Sequence, residues 1–310
     1  MSKIKKTIKI LLLCLSICVV LGVGVCQFFP GVLCKTLEKI AFSRANLKLK
    51  KIKVGTEVFA YAEGGTGPTL VFVHGFQGDK KFWLNYVQHF ISDYHILIPD
   101  MPAHGDSSFS EKQHFDLKSL AKTMHGFMEE KRLKDFCLIG TSLGGGVVTE
   151  YAALYPEKLT KLILLNPIGI KAEDEAEFKE IIEKNEKLFF PNSMEELDKL
   201  YVYLMGKPFA KKGFIKKYFF NYLIEKRPVL KRVYKDLIRS EGVEKILSQI
   251  NTPTLVIMGQ YDKISRPVDF EIYSKKLPNC CSVKITDGYH ILTDRAFEKA
   301  VKEMRFFVGK

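Results

Sequence analysis

One pentapeptide constrains this chain more than any other stretch: Gly140-Thr141-Ser142-Leu143-Gly144. It lies between a short apolar run at residues 136–140 and a helical pattern at residues 143–154. A glycine two residues to either side of a serine, at a strand-to-helix junction, suits a turn so tight that a Cβ would strike neighbouring backbone. Such a turn lifts the hydroxyl clear of the sheet and aims a helix N-terminus at negative charge developing beside it. Ser142 is therefore the candidate nucleophile, and the fold must feed a buried strand straight into a helix.

The rest of the chain supplies such a fold. Residues 47–54 and 57–62 read as an opening hairpin. Residues 69–74, 94–98, 136–140, 161–165, 254–258 and 282–285 are short apolar runs bounded by Gly, Pro or Asn, separated by helical patterns such as residues 117–131. Continuous apolar runs of this length fit strands covered on both faces, so the expected class is α/β, a mostly parallel central sheet with flanking helices. The alternation lapses at residues 169–246, which are helical in pattern. There Ser193-Met194-Glu195-Glu196 predicts a capping box, the serine oxygen and the glutamate each accepting an orphan amide. The same stretch is dense in aromatics and cations. It is expected to form an inserted helical cap, with Phe214, Phe219 or Phe220 against lipid headgroups and Lys211, Lys212, Lys216 and Lys217 meeting anionic lipid. The expected division is residues 1–34 as a membrane anchor, 35–168 and 247–310 as the two parts of the core, and 169–246 as the cap.

Two later strand ends carry the partners a serine needs. Residues 254–258 lead into Gly259-Gln260-Tyr261-Asp262, and residues 282–285 lead through Asp287-Gly288-Tyr289 to His290. A base lowers the cost of deprotonating the serine, and an acid fixes the tautomer of that base. The order Ser142, Asp262, His290 suits the strand–turn–helix arrangement. Asp287 is the rival acid, but three residues from His290 it is placed to shape the loop. Earlier, Val73-His74-Gly75-Phe76 ends a strand where a second oxyanion donor belongs, so the backbone N–H groups of Phe76 and Leu143 are the expected pair. His74 reads as a residue holding that loop, and His104 as part of a loop bracing the site. His89, His95, His114 and His125 show no matching partner and read as surface or packing residues. No ligand cluster suggests a metal, and Gly144-Gly145-Gly146 lacks the spacing of a phosphate-binding loop, so no cofactor is expected.

The N-terminus adds a membrane. Lys3, Lys5, Lys6 and Lys9 precede an uncharged stretch at residues 10–34, long enough to cross a bilayer core of about 20 residues as a single-pass anchor. Lysines and arginines follow it as well, at Lys35, Lys39 and Arg44, so the side that holds the rest of the chain stays open. The formal net charge of +13 points to an anionic partner. Neither zinc-finger spacing nor an RNA-binding signature is present, so the partner expected is lipid and not nucleic acid. The seven cysteines do not form a disulfide framework.

Taken together, these residues resemble the α/β-hydrolase superfamily from about Lys53 onward, and most of all its membrane-anchored monoacylglycerol lipases and related bacterial lipases. Val73-His74-Gly75-Phe76 with Phe82-Trp83, Asp100-Met101-Pro102, Gly140-Thr141-Ser142-Leu143-Gly144-Gly145, Tyr155-Pro156 and Asn166-Pro167 carry the likeness. The resemblance implies a catalytic triad of Ser142, Asp262 and His290, an oxyanion hole at Phe76 and Leu143, and a long-chain ester such as a monoacylglycerol as substrate. Ala103 departs from the pattern, which has glycine before the residue matching His104. The alternatives are a carboxylesterase of soluble substrates or a carbon–carbon hydrolase of a dienoate on the same fold. From another class comes a catalytically silent scaffold, for which the loss of one triad residue would be expected.

Overall fold

The structure, a computed structural model, describes residues 30–171, 180, 183–184, 186–208 and 213–309. Eight strands form one sheet: β1 (Leu47–Val54), β2 (Glu57–Gly64), β3 (Thr69–Val73), β4 (His95–Pro99), β5 (Phe136–Thr141), β6 (Leu159–Leu165), β7 (Thr254–Gly259) and β8 (Cys280–Ile285). Their order across the sheet is β1-β2-β4-β3-β5-β6-β7-β8. The opening hairpin pairs antiparallel and joins β4 antiparallel; every later neighbour is parallel. The central strands β5 and β7 are buried along their whole length, which is why their sequences run apolar without alternation.

Two apolar layers enclose the sheet. On one face α2 (Leu117–Glu130) and α3 (Leu143–Leu154) pack with Val71, Val73, Leu138 and Leu164. On the other, Phe42 of α1 (Pro30–Arg44), Trp83 and Ala300 of α7 (Asp294–Val308) cover Leu70, Phe72 and Ile139. The connection from β6 to β7 carries α4 (Met194–Met205) and α5 (Phe214–Arg239); α6 (Pro267–Lys276) follows β7.

Three expectations change. Residues 1–29 of the expected membrane anchor lie outside the described residues, and among those described no helix is long and apolar enough to cross a membrane. Residues 30–34 instead open α1, which runs through the expected boundary at residue 34 and is anchored in the core by the fully buried Phe42. At the start of α4, Ser193 accepts from the Glu196 amide at 3.1 Å, but the Glu196 carboxylate accepts from the Asn192 amide, one residue before the expected partner. In α5, Phe219 and Phe220 turn inward against Leu197, Leu200 and Leu223, and Lys216 is paired with Asp198 at 2.7 Å. A helix lying on other helices must direct one face inward, and that face claims these aromatics. Lys211 and Lys212 lie outside the described residues.

Candidate active site

Ser142 sits at the junction of β5 and α3 with φ 53° and ψ −121°, a conformation that a residue bearing a Cβ adopts only under constraint. The flanking glycines supply room for it. A Cβ on Gly140 would lie 2.4 Å from the Gly144 carbonyl oxygen, and one on Gly144 would lie 2.3 Å from that of Val73. The backbone is pinned on both sides, since the Ser142 amide donates to Leu165 and its carbonyl accepts from Ile168.

Strand ends β7 and β8 deliver the other two groups. His290 Nε2 lies 2.9 Å from Ser142 Oγ, and His290 Nδ1 lies 2.8 Å from Asp262 Oδ2. The second oxygen of Asp262 accepts from the amides of Ile264 and Ser265 at 2.8 and 3.0 Å. With one oxygen accepting from these amides and the other facing Nδ1, Asp262 orients the ring so that Nδ1 donates to it and Nε2 faces the serine oxygen. Asp287, the rival acid, is exposed. Leu143 occupies the first position of α3, where an amide has no carbonyl one turn back to bond. Gly75 brings the Phe76 segment against the serine: a Cβ there would stand 3.0 Å from Ser142 Cβ.

Behind Phe76 lies a buried polar loop. His74 is fully buried; its Nδ1 donates to the Gly75 carbonyl at 2.8 Å and its Nε2 accepts from the Met101 amide at 3.0 Å. Burial holds His74 neutral, with its pKa pushed down to about 4. His104 donates from Nδ1 to the Pro102 carbonyl and packs against His74, and burial, aided by that neighbour, takes its pKa to about 3. Ala103 has φ +67°, the left-handed region that glycine enters most easily, so the departure noted in the sequence is accommodated as local strain of about 1 kcal/mol. Lys80, also buried, reaches Asp100 at 2.7 Å and Asp106 at 2.8 Å, with Glu38 of α1 at 3.7 Å. Burial alone would lower its pKa; the carboxylates outweigh burial and raise it. Nothing in the sequence pattern singles out this lysine, because its partners come from two segments, α1 and the loop after β4, that are distant from it along the chain.

Two of the histidines read as partnerless have partners. His95 bonds Glu63 and Thr69, and His125 stacks on Tyr155 with ring centroids 3.7 Å apart. Both pairings are made between separate elements, so spacing along the chain cannot reveal them. Among the described residues no group of His, Cys, Asp and Glu side chains is assembled to hold a metal ion.

A family model described as alpha/beta hydrolase fold matches residues 68–294. Lipase 3 of Moraxella sp. (strain TA144) is 26% identical over 273 residues, covering 86% of each chain. The human monoacylglycerol lipase ABHD6 is 25% identical over 245 residues, covering 74% of this chain and 72% of that one. The crystal structure of a membrane phospholipase A, a bacterial virulence factor, superposes with a TM-score of 0.85 at 25% identity, covering 97% of this chain and 98% of that one. A dienoate hydrolase of Rhodococcus sp. strain RHA1 shares the fold, with a TM-score of 0.72 at 17% identity and coverage of 85% and 99%. With the sheet order, the turn at Ser142 and a family match spanning most of its length, the chain belongs to the alpha/beta hydrolase fold family.

Proposed function

We propose that this protein is a serine hydrolase that cleaves carboxylic esters of lipids, with a monoacylglycerol as the reference substrate. The observation that carries the reading is the hydrogen-bonded series Ser142 Oγ, His290 Nε2, His290 Nδ1 and Asp262 Oδ2, with separations of 2.9 and 2.8 Å. Ser142 attacks the ester carbonyl while His290 takes its proton, and the Phe76 and Leu143 amides bind the oxyanion. His290 then protonates the departing alcohol. Water, activated by the same imidazole, releases the acid from Ser142. The lipid part of the reading is supported by apolar walls around Ser142, including Leu200, Leu204, Phe219 and Leu223. The names of the lipase relatives support it too.

The apolar residues 10–34 and the net charge of +13 support action at a membrane surface. The test compares full-length protein with a chain starting at Pro30, which keeps α1 whole, on a monoacylglycerol in anionic vesicles and on a short p-nitrophenyl ester in solution. Full-length protein should hydrolyse both, and the shortened chain should lose the vesicle activity selectively. Failure of the full-length protein on every ester would overturn the hydrolase reading. Equal action of both chains on vesicles would overturn only its membrane part.

A further inference from the structure

The peptide unit that follows His290 is gripped from two sides. Its carbonyl oxygen, on His290, accepts from Asn166 Nδ2 at 2.7 Å, and its N–H, on Ile291, donates to the Leu204 carbonyl at 2.8 Å. Asn166 stands just past the end of β6, whereas Leu204 lies in the last turn of α4. Further contacts join that end of α4 to the loops bearing the acid and the base. Tyr203 Oη donates at 3.0 Å to the carbonyl of Lys263, the residue after Asp262. Gly206 lies so close to Tyr289, the residue before His290, that a Cβ on it would stand 2.5 Å from the ring. Lys207 pairs with Asp294, a few residues past the base.

Local structure explains why Leu204 has a carbonyl to offer. The carbonyls of a helix's last turn have no amide one turn ahead, so a partner outside the helix must satisfy them. Gly206 closes α4 in the left-handed region, with φ 73° and ψ 0°, and its amide turns back to the Val202 carbonyl. That turn carries the chain away and leaves the Leu204 carbonyl to Ile291. Glycine suits this position for two reasons. It enters the backbone angle without strain, and the Tyr289 ring occupies the space that a Cβ would need.

We infer that the end of α4 positions the catalytic base: the Leu204 carbonyl and Gly206 hold His290 in line with Ser142 and Asp262. The inference rests on the ester-hydrolase reading above and adds groups outside the triad on which the base depends. His290 must keep Nδ1 on Asp262 at 2.8 Å and Nε2 on Ser142 at 2.9 Å while protons move through it. The backbone places the ring, and a peptide plane held at one atom can still swing about that atom. Asn166 fixes the oxygen of this plane and Leu204 fixes its N–H, on the opposite edge. Together they remove the swing. Gly206 is not among the residues lining the cavities at Ser142, so its effect on turnover passes through Tyr289 and His290. It is a positioning residue.

The test uses full-length protein on a short soluble p-nitrophenyl ester, with a fluorophosphonate counting the sites that react. Gly206→Ala sets a methyl group against the Tyr289 ring. Gly206→Asn also adds a Cβ there but tolerates the left-handed backbone better, which separates displacement of Tyr289 from strain at the helix end. Both variants should lose about tenfold to a hundredfold in kcat, with KM changed less than about twofold, as a shift near 1 Å of a reacting group does. The final extent of labelling should match wild type while its rate falls with kcat, because an enzyme that is merely unstable loses sites and not speed per site. Adding Tyr289→Ala to either variant removes the ring that the new group meets. It should restore kcat to within about threefold of Tyr289→Ala alone, the coupling expected of residues in contact. A kcat per labelled site equal to wild type in both Gly206 variants would overturn the positioning role while leaving the hydrolase reading standing. So would a loss that Tyr289→Ala does not relieve. Wild-type protein that neither takes the label nor cleaves the ester overturns the hydrolase reading itself.

Discussion

Asn166 holds His290 by its backbone: Asn166 Nδ2 donates to the His290 carbonyl oxygen at 2.7 Å. The same nitrogen donates to the Tyr289 carbonyl at 3.0 Å, while Asn166 Oδ1 accepts from the Gly259 amide at 2.8 Å and its own carbonyl accepts from Ser265 Oγ at 3.0 Å. One side chain at the end of β6 thus ties together the loops that carry Asp262 and His290. Asn166→Asp keeps the acceptor toward Gly259 and loses both donors. It should lower kcat about a hundredfold with little change in KM, as a displacement near 1 Å of a reacting group does. If kcat holds while the melting temperature falls, Asn166 stabilises the loops without aligning the base.

Ser142→Ala should lower kcat by roughly six orders of magnitude and abolish covalent labelling by a fluorophosphonate. The positive φ of Ser142 and the close approach of Gly140 and Gly144 to backbone motivate this, since they hold Oγ toward His290. Labelling of the alanine variant equal to wild type would place the nucleophile elsewhere.

Asp262→Asn should cost about 10⁴-fold in kcat, because an amide no longer fixes the imidazole tautomer or stabilises its charged form. Asp287→Asn, at an exposed position, should cost less than about tenfold. Steady-state rates of the two variants on one ester decide the matter, and reversed effects would assign the orienting carboxylate to Asp287.

Lys80 is buried with carboxylates on two sides, so Lys80→Ala leaves Asp100 buried, charged and short of a partner. Breaking such a set by removing one member costs about 3–5 kcal/mol. Urea unfolding of the variant should show that loss. A change below about 1 kcal/mol would mean that water replaces the ammonium.

His74 and His104 make stability depend on pH. Their folded pKa values of about 4 and about 3 lie below the ordinary 6.5, so between these values the unfolded chain binds protons that the folded chain does not. Stability is therefore fully present above pH 6.5 and falls as the pH drops toward 4. Linkage for two such groups gives a loss of about 3 kcal/mol between pH 6.5 and pH 5. Denaturant midpoints across that window check it. His74→Gln should flatten the slope, and a flat profile in the wild type would show that the folded state admits the protons.

The linear order of the chain determined the strands, the parallel sheet and the turn at Ser142, because apolar runs, flanking glycines and a following helical pattern are local properties. The first strand of the hairpin at residues 47–54 and the start of α3 at Leu143 stand where the sequence places them. What tertiary structure decided is every relation between distant segments. The separation of 2.9 Å between His290 and Ser142 spans 148 positions along the chain. The burial of Lys80 among Asp100, Asp106 and Glu38 depends on three segments meeting. The inward turn of Phe219 follows from the helices α5 packs upon, since amphipathicity alone does not say which neighbour a helix face will find. Asn166 shows the division most sharply. Its sequence neighbourhood marks only the end of a strand, and its hold on His290 exists because parallel strands β6, β7 and β8 bring their C-terminal ends to one edge of the sheet.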